Sequence, residues 1–188
     1  MKKYWDQHSQ AGSIEEMMLD DDASKIEVQD REEILSLQPA LKGKRVLELA
    51  AGIGRFTPYL AERVGPEGCV TAVEFIQAFS DQNESSHRHL GNTSFVCADV
   101  TKLEQPEGSV DVIFINWLLM YLGDDEVACA RAGLLFSRHL LLLALPFTLA
   151  EPGLMPAVGQ GVRTQRAEVA RAGWPSLLPR VVLAAVGE

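Results

Sequence analysis

The stretch that most constrains the fold is RVLELAAGIGRF, residues 45–56. It predicts a buried strand, an acid near the strand's end at Glu48, a turn of small residues and a helix that begins at Arg55. A turn with almost no side chains lets the backbone come very close to a ligand or to another segment. A strand, a glycine turn and a helix start are together typical of a nucleotide site in α/β proteins, although plain tight turns share the pattern.

The spacing of the glycines narrows the type of nucleotide. A dinucleotide loop has the pattern G-x-G-x-x-G. Gly52 and Gly54 fit its first two positions, but Thr57 occupies the third. The pattern present is acid-x-small-x-Gly-x-Gly, which argues against a dinucleotide and leaves other nucleotide sites and a plain turn open.

Polar side chains stand at the ends of the next predicted strands. The second strand, residues 69–75, contains Glu74 twenty positions after Gly54. An acid at this offset commonly binds ribose hydroxyls; the alternative is an exposed acid at a strand end. The third strand, residues 94–98, is followed by Asp99 and Val100, which can accept from an adenine amino group and flank its ring. The fourth strand, residues 110–115, is followed by Asn116.

Composition excludes several classes of function. The 188 residues predict one soluble domain, and a net charge of −9 argues against a nucleic-acid partner. The three cysteines fit neither a zinc site nor a secreted disulfide framework, so we expect no metal and a reducing, cytoplasmic location. The longest apolar run, Leu140 to Leu145, is too short to span a membrane, and the chain's start has no signal-peptide pattern.

The two ends of the chain differ from its middle. Residues 1–40 form an N-terminal segment. Residues 1–33 are predicted to be either an amphipathic helix with a solvated acidic turn or a lid that folds over a cofactor, and a helix is predicted from Asp30 through Leu37. Residues 41–137 form the core of alternating strands and helices; His87 and His89 are interpreted as surface residues. Residues 138–188 change in composition, with no Lys after position 102 and no Asp after position 125. Strands over 139–145 and 180–186 and a helix over 164–172 are predicted there.

Several segments together carry a family resemblance. YWDQHS, MMLDDDAS, VLELAAGIGRF, FVCADVT and VDVIFINWLLMYLGDDEV, within residues 4–127, resemble the first methyltransferase domain of the plant and nematode phosphoethanolamine N-methyltransferases. The resemblance implies a class I fold, a Rossmann-like, mostly parallel sheet with helices on both faces and S-adenosylmethionine across the strand ends. It implies N-methylation of phosphoethanolamine, the first methylation towards phosphocholine.

The resemblance also assigns residues. The positions implied for the cofactor are Ala50, Gly52, Gly54, Arg55, Glu74, Asp99, Val100 and Asn116. A protonated amine must lose a proton before it attacks, so a proton-accepting group is needed. The candidates are Tyr121 and Asp20, then Tyr4 and His8. The positions implied for the substrate are Trp5, Met18 and Trp117.

Three departures from the family pattern set further expectations. Ala50 stands where the family usually has Gly, and its methyl group is expected either to crowd the methionine end of the cofactor or to be tolerated through a negative φ. Glu74 stands where Asp is more common, which moves the carboxylate outward by one methylene. After Phe136 the chain shows no match, and the second catalytic domain of the plant enzymes is missing. The alternative to an enzyme is therefore a truncated, inactive or regulatory S-adenosylmethionine-binding domain. Whether residues 138–188 complete the sheet, whether the chain folds stably without the usual last strands, and the oligomeric state stay open.

Overall fold

The computed structural model of the chain describes Trp5 and residues 12–18, 20–134, 141–144 and 182–183. Tyr4, His8 and the helix predicted over 164–172 lie outside the described residues. Within the described part, the strands form one sheet in the order β3-β2-β1-β4-β5-β6. The strands are β1 (Arg45–Leu49), β2 (Cys69–Glu74), β3 (Thr93–Cys97), β4 (Val112–Ile115), β5 (Leu141–Ala144) and β6 (Val182–Leu183).

The helices connect the strands and cover them. They are α1 (Ile14–Met18), α2 (Ala23–Ser36), α3 (Thr57–Val64), α4 (Gln77–His87) and α5 (Asp124–Leu134), with 3-10 turns at Val100–Lys102 and Leu118–Tyr121. The helix after the glycine turn begins at Thr57 rather than Arg55, because residues 50–56 are needed for the turn itself. The N-terminal helix α2 begins seven positions before the predicted Asp30.

The order of the strands places a ligand crevice beside β1. β1 pairs in parallel with β2 on one side, at Leu49 and Val73, and with β4 on the other, at Leu49 and Ile115. The chain runs outward from β1 in both directions, so the strand order reverses there. Ligands of open α/β sheets bind outside the carboxyl ends of the strands at such a point.

Two of the three apolar clusters among the described residues lie one on each face of the sheet, and the third surrounds Trp5, Ile76 and Phe79. Alternate residues of β4 divide between the first two, with Phe114 in one cluster and Ile113 in the other. Helices α2 and α3 cover the first face through residues such as Ile34 and Leu60. The segment after β4 covers the second through Leu122. This confirms the predicted α/β fold with helical segments on both faces.

The described residues include a part of each strand predicted after position 137. β5 pairs in parallel with β4, Leu141 opposite Val112, and β6 runs antiparallel to β5, Leu183 opposite Leu142. The described C-terminal residues therefore extend the sheet beyond β4. The part of the chain that the structure describes contains no helix of the length and apolarity needed for a membrane span.

Candidate active site

A cavity of about 280 Å³ lies at the carboxyl ends of β1, β2 and β4. Most of the residues predicted to bind the cofactor line it: Ala50, Gly52, Arg55, Glu74, Asp99, Val100 and Asn116. The predicted substrate residues Trp5, Met18 and Trp117 line it as well, and so does Tyr121. One cavity thus brings together predicted site residues that are up to 116 positions apart in the sequence, Trp5 and Tyr121.

Two predicted site residues do not line the cavity. The Asp20 carboxylate accepts a hydrogen bond from the backbone N–H of Asp22, 2.9 Å away, at the turn before α2. A short acidic side chain before a helix commonly makes such a local bond. Gly54 lies behind the turn, against Asn83 and His87 of α4. Their positions favour structural roles for both residues.

The glycine turn is held by backbone bonds on both sides. The Ala51 N–H donates to the carbonyl of Val73 at 3.0 Å, and the Gly54 N–H donates to the carbonyl of Ala51 at 3.0 Å. A Cβ at Gly52 would overlap the thioether of Met17, with its Cγ only 3.1 Å away. Met17 of α1 therefore packs directly on the turn, and a side chain at position 52 would displace it.

Ala50 adopts a left-handed backbone with φ 56°. The expectation that its methyl group is tolerated through a negative φ is therefore wrong. The parallel pairing of β1 continues to Leu49, and the chain must then bend sharply into the turn. An L-residue pays roughly 1–2 kcal/mol for this conformation, whereas glycine does not.

Ala50→Gly is accordingly expected to raise the free energy of unfolding by about 1 kcal/mol, because relief of the left-handed strain exceeds the extra unfolded-state entropy of glycine. Urea unfolding measures the change. Ala51→Gly is the matched control, since Ala51 is buried and has no positive φ. We expect the control to lose about 1 kcal/mol, and a loss of stability in Ala50→Gly would contradict the interpretation.

Glu74 is buried, and both of its carboxylate oxygens accept backbone N–H groups. Oε2 accepts from Gly52 at 2.9 Å and Oε1 from Ile76 at 2.8 Å. Burial raises the pKa of Glu74, and the bonds from Ile76 and Gly52 oppose that rise. Because two donors point at it, the geometry favours the ionised, acceptor form. The residue therefore ties β2 to the glycine turn and presents a carboxylate to the cavity.

Asp99 is the second carboxylate at a strand end. Its Oδ1 accepts from the Thr101 hydroxyl at 2.7 Å and from the Thr101 N–H at 3.0 Å. The hydroxyl bond is the main cause that lowers the pKa of Asp99. An ionised acceptor next to the buried Val100 side chain suits a planar ring with an amino group.

A chain of buried polar side chains runs from the cavity wall towards α4. The Thr57 hydroxyl donates to Glu48 Oε2 at 2.7 Å, and Asn83 Nδ2 donates to Thr57 Oγ1 at 3.0 Å. His87 Nδ1 lies 2.9 Å from Asn83 Oδ1 and 3.1 Å from the Asn83 carbonyl, so Nδ1 carries the proton. The interpretation of His87 as a surface residue is therefore corrected: its side chain is half-buried and bonds to Asn83, one turn earlier in α4. His89 is exposed, as predicted.

Burial raises the pKa of Glu48 to about 8, well above its ordinary value of 4.5. Between these two values the folded chain holds a proton on this carboxyl that the unfolded chain has lost. The stability that this proton contributes is complete below pH 4.5 and is lost as the pH rises towards 8.

Glu48→Gln is expected to remove this pH dependence while keeping the bond from Thr57. Between pH 5 and pH 8 the wild-type free energy of unfolding should fall relative to the variant by up to about 1.4 kcal/mol per pH unit. Urea unfolding at several pH values measures the slope. Glu67→Gln, on an exposed turn, should keep the wild-type slope; equal slopes in wild type and Glu48→Gln would contradict a buried neutral carboxyl.

Arg55 lines the cavity, but its guanidinium is engaged with helix α2. Nε lies 3.3 Å from Glu27 Oε1, Nη2 donates to the Glu27 carbonyl at 3.1 Å, and Nη2 also pairs with Asp30. The Arg55 side chain is only 3% exposed. Arg55 therefore anchors the N-terminal helix to the turn, a contact that a cofactor loop alone does not predict.

Aromatic side chains close the other side of the cavity. The Trp5 ring packs edge-on against Phe79 and Tyr121, with centroid distances of 6.0 and 5.6 Å. Trp117 has φ 62°, an uncommon conformation for a bulky residue. This left-handed residue turns the chain from β4 into the following 3-10 turn, so that Trp117 and Tyr121 both reach the cavity. Backbone strain of this kind is concentrated at functional sites.

Asn116, between β4 and Trp117, has a buried side-chain oxygen, and Oδ1 has no hydrogen-bond partner among the described residues. A buried acceptor without a donor costs about 1–3 kcal/mol. Because Asn116 lines the cavity, a ligand with an N–H or ammonium group can satisfy it.

Comparison with known proteins agrees with this geometry. Residues 46–134 match the profile of a family described as "Methyltransferase domain". The fold is similar to a Haemonchus contortus phosphoethanolamine N-methyltransferase 1 solved with phosphoethanolamine and S-adenosylhomocysteine: the TM-score is 0.70 and the identity 37%, over 75% of this chain and 30% of that one. An Aquifex aeolicus S-adenosylmethionine-dependent methyltransferase shares the fold, with TM-score 0.54, 24% identity and 65% of both chains covered.

The chain has the fold of class I S-adenosylmethionine-dependent methyltransferases. The predicted resemblance is also confirmed. The chain is 51% identical to phosphoethanolamine N-methyltransferase of Triticum aestivum over 128 residues, 67% of the chain. It is 40% identical to phosphoethanolamine N-methyltransferase 1 of Caenorhabditis elegans over 125 residues, 66% of the chain. It spans about a quarter of the length of these curated relatives.

Several residues of the methyltransferase cavity were missed by sequence reasoning. Glu48 was noted only as an acid near a strand end, although a lone acid inside the apolar run VLEL is a signal of a buried functional carboxyl. Met17 and Phe79 also line the cavity. No local pattern distinguishes them, because an apolar side chain on a helix is more often part of the core.

Proposed function

We propose that the chain provides the catalytic domain of an S-adenosylmethionine-dependent N-methyltransferase that converts phosphoethanolamine to N-methylphosphoethanolamine. The observation that carries the proposal is the single cavity in which Glu74 and Asp99 meet Trp117 and Tyr121. The relatives and the solved neighbour named above support the choice of acceptor.

The residues present suit the cofactor. Glu74 offers a carboxylate for two ribose hydroxyls, and Asp99 with Val100 suits adenine. The buried Asn116 oxygen needs a donor, which an ammonium group supplies. Met17 and Met18 cover the glycine turn with soft apolar surface. The bound cofactor supplies an electrophilic methyl group on a sulfonium.

The acceptor side has to orient an amine and remove its proton. Trp5, Trp117 and Met18 exclude water from the cavity wall, which strengthens the fixed dipoles inside it. Tyr121 is the proposed proton-handling residue, because it is the one catalytic candidate that lines the cavity within the described part of the chain. Placement of the two reactants for an in-line displacement provides much of the acceleration.

The same proposal includes the division of the chain into segments, its location in the cell and its class of partner. Residues 1–40 act as a lid segment, residues 41–137 as the methyltransferase core and residues 138–188 as a divergent C-terminal segment. The contact of Trp5 with Tyr121 and of Arg55 with α2 supports a covering role for the N-terminal residues. We propose a cytoplasmic protein that acts on a small molecule; the net charge of −9 supports the exclusion of nucleic acid.

Incubation of the purified chain with S-adenosylmethionine and phosphoethanolamine, followed by mass spectrometry, tests the proposal. We expect N-methylphosphoethanolamine, and we expect Tyr121→Phe to lower kcat by roughly 10²-fold or more with little change in cofactor affinity. Ethanolamine and phosphocholine serve as acceptor controls. Cofactor binding without methylation of any acceptor would instead support an inactive binding domain.

A further inference from the structure

Glu48 is a buried carboxyl on the wall of the cavity, 1% exposed. Its one hydrogen bond within the described residues comes from the Thr57 hydroxyl, to Oε2. That hydroxyl is itself fixed by Asn83, so the donor cannot turn away without breaking a second buried bond. A buried carboxylate with a single neutral donor is poorly stabilised.

The charges around Glu48 do not supply the missing cation. The other ionisable side chains that line the cavity are those of Arg55, Glu74, Asp99, Glu126 and Tyr121, and the phenol of Tyr121 is neutral near pH 7. The Arg55 guanidinium is already paired with Glu27 and Asp30 of α2. The charged group that acts on Glu48 is Glu74, a second carboxyl that disfavours its ionisation. On the α4 side, His87 reaches it only through Asn83 and Thr57. The cavity therefore has four carboxyls and no cation that is still without a counter-charge among its described lining residues.

We propose that Glu48 is a specificity residue that recognises the positive charge of the methyl donor: it is uncharged in the free protein and ionises when a sulfonium ligand enters the cavity. The O–H bond of the carboxyl breaks and its proton passes to the buffer, so that a carboxylate faces the new cation. This inference rests on the proposed cofactor, S-adenosylmethionine.

A Glu48 side chain of this kind discriminates between the methyl donor and the product that remains after methyl transfer. S-adenosylmethionine carries a sulfonium cation, whereas S-adenosylhomocysteine carries a neutral thioether in the same place. A carboxyl that ionises for the first ligand and stays protonated for the second favours the donor, since opposite charges attract strongly away from bulk water. Product release is helped by the same group.

Glu48 is better placed for this role than Glu74. Both Glu74 oxygens accept backbone N–H groups, which holds that side chain in its acceptor form before any ligand binds. Glu48 accepts one hydroxyl, and its burial raises its pKa to about 8. The proton available for exchange near neutral pH is therefore on Glu48.

Isothermal titration calorimetry in buffers of different ionisation enthalpy measures the exchange. At pH 7 we expect wild type to release about one proton per S-adenosylmethionine bound and almost none with S-adenosylhomocysteine. Glu48→Gln keeps the acceptor for Thr57 and should abolish the release. It should also lower the ratio of donor to product affinity by about tenfold. For wild type, the ratio of the affinity for S-adenosylmethionine to that for S-adenosylhomocysteine should rise from pH 6.5 to pH 8. For Glu48→Gln this ratio should not change with pH.

Glu126→Gln is the matched control, because Glu126 lines the cavity but is exposed. It should release the same number of protons as wild type. Infrared difference spectra provide a second measurement: the band of a protonated carboxyl should disappear when S-adenosylmethionine binds to wild type, and it should be missing from Glu48→Gln throughout.

Two results would overturn the role of Glu48 alone. One is that wild type binds both ligands without proton exchange. The other is that Glu48→Gln weakens both ligands equally, which would make Glu48 only a support for Thr57. If folded wild type binds neither ligand, the proposed function fails and the inference fails with it.

Discussion

Replacement of Glu74 by glutamine is expected to weaken the binding of S-adenosylmethionine by about 10- to 100-fold. A carboxylate presents two acceptor oxygens, and each hydrogen bond from a ribose hydroxyl to a charged acceptor is worth roughly 1.5–3 kcal/mol. Glutamine keeps one oxygen and turns an NH₂ group towards the place of the other. Because 1.4 kcal/mol corresponds to a tenfold change in affinity, loss of one such bond already produces an effect of this size.

The same substitution also disturbs the free protein. The oxygens of Glu74 accept from Gly52 and Ile76, so the new NH₂ group must face one backbone donor. We expect a loss of about 1–3 kcal/mol in the free energy of unfolding for that reason. Calorimetric titration of the folded variant separates the loss of binding from the loss of stability.

Glu74→Asp is the informative companion variant. It keeps the charge and introduces the side chain that the family pattern described above leads us to expect at this position. Binding should stay within about tenfold of wild type, because the carboxylate is retracted by one methylene but remains an acceptor. An unchanged dissociation constant in Glu74→Gln would contradict the assignment of Glu74 to the cofactor.

The polar residues at the strand ends could be predicted from the sequence for a physical reason. Buried parallel strands are apolar throughout, so the first polar residue after each one marks where the sheet ends. Glu74, Asp99 and Asn116 were found in this way, and all three line the cavity. Parallel strands place their carboxyl ends at one edge, which is why separate segments of the chain could be assigned to one site without any contact information.

The parts that could not be predicted depend on how helices approach the sheet. The ion pairs of Arg55 with α2 require the position of a helix some 25 residues earlier in the sequence. The bond between Thr57 and Asn83 likewise joins the start of α3 to the middle of α4. Asp20 looked catalytic by resemblance, yet a carboxylate just before a helix also satisfies nearby backbone N–H groups. A linear pattern cannot choose between these two uses.

The turn between β1 and α3 shows how such contacts constrain the site. Gly54 has φ 93°, and a Cβ placed on it would lie 2.7 Å from both Asn83 Cγ and His87 Cε1 and closer still to Asn83 Oδ1. Asn83 cannot move aside freely, because it is 1% exposed and donates to Thr57. The backbone of the turn thus lies directly against α4, and any side chain at position 54 separates them.

Gly54→Ala is therefore expected to lower the free energy of unfolding by about 3 kcal/mol. Roughly 1 kcal/mol comes from the left-handed backbone, and the remainder from overlap with Asn83 and the bonds that its displacement breaks. For a chain of this size the melting temperature should fall by about 6–12 °C.

Gly108→Ala provides the comparison, because Gly108 also has a positive φ, 70°, but a Cβ there meets nothing within 4 Å. It should lose only about 1 kcal/mol, the backbone part alone. A double-mutant cycle identifies the cause of the difference: in an Asn83→Ser background Gly54→Ala should cost less than in wild type, since the overlapping amide is gone. Equal costs for Gly54→Ala and Gly108→Ala would mean that α4 yields to the turn, and that Asn83 does not fix the position of the turn between β1 and α3.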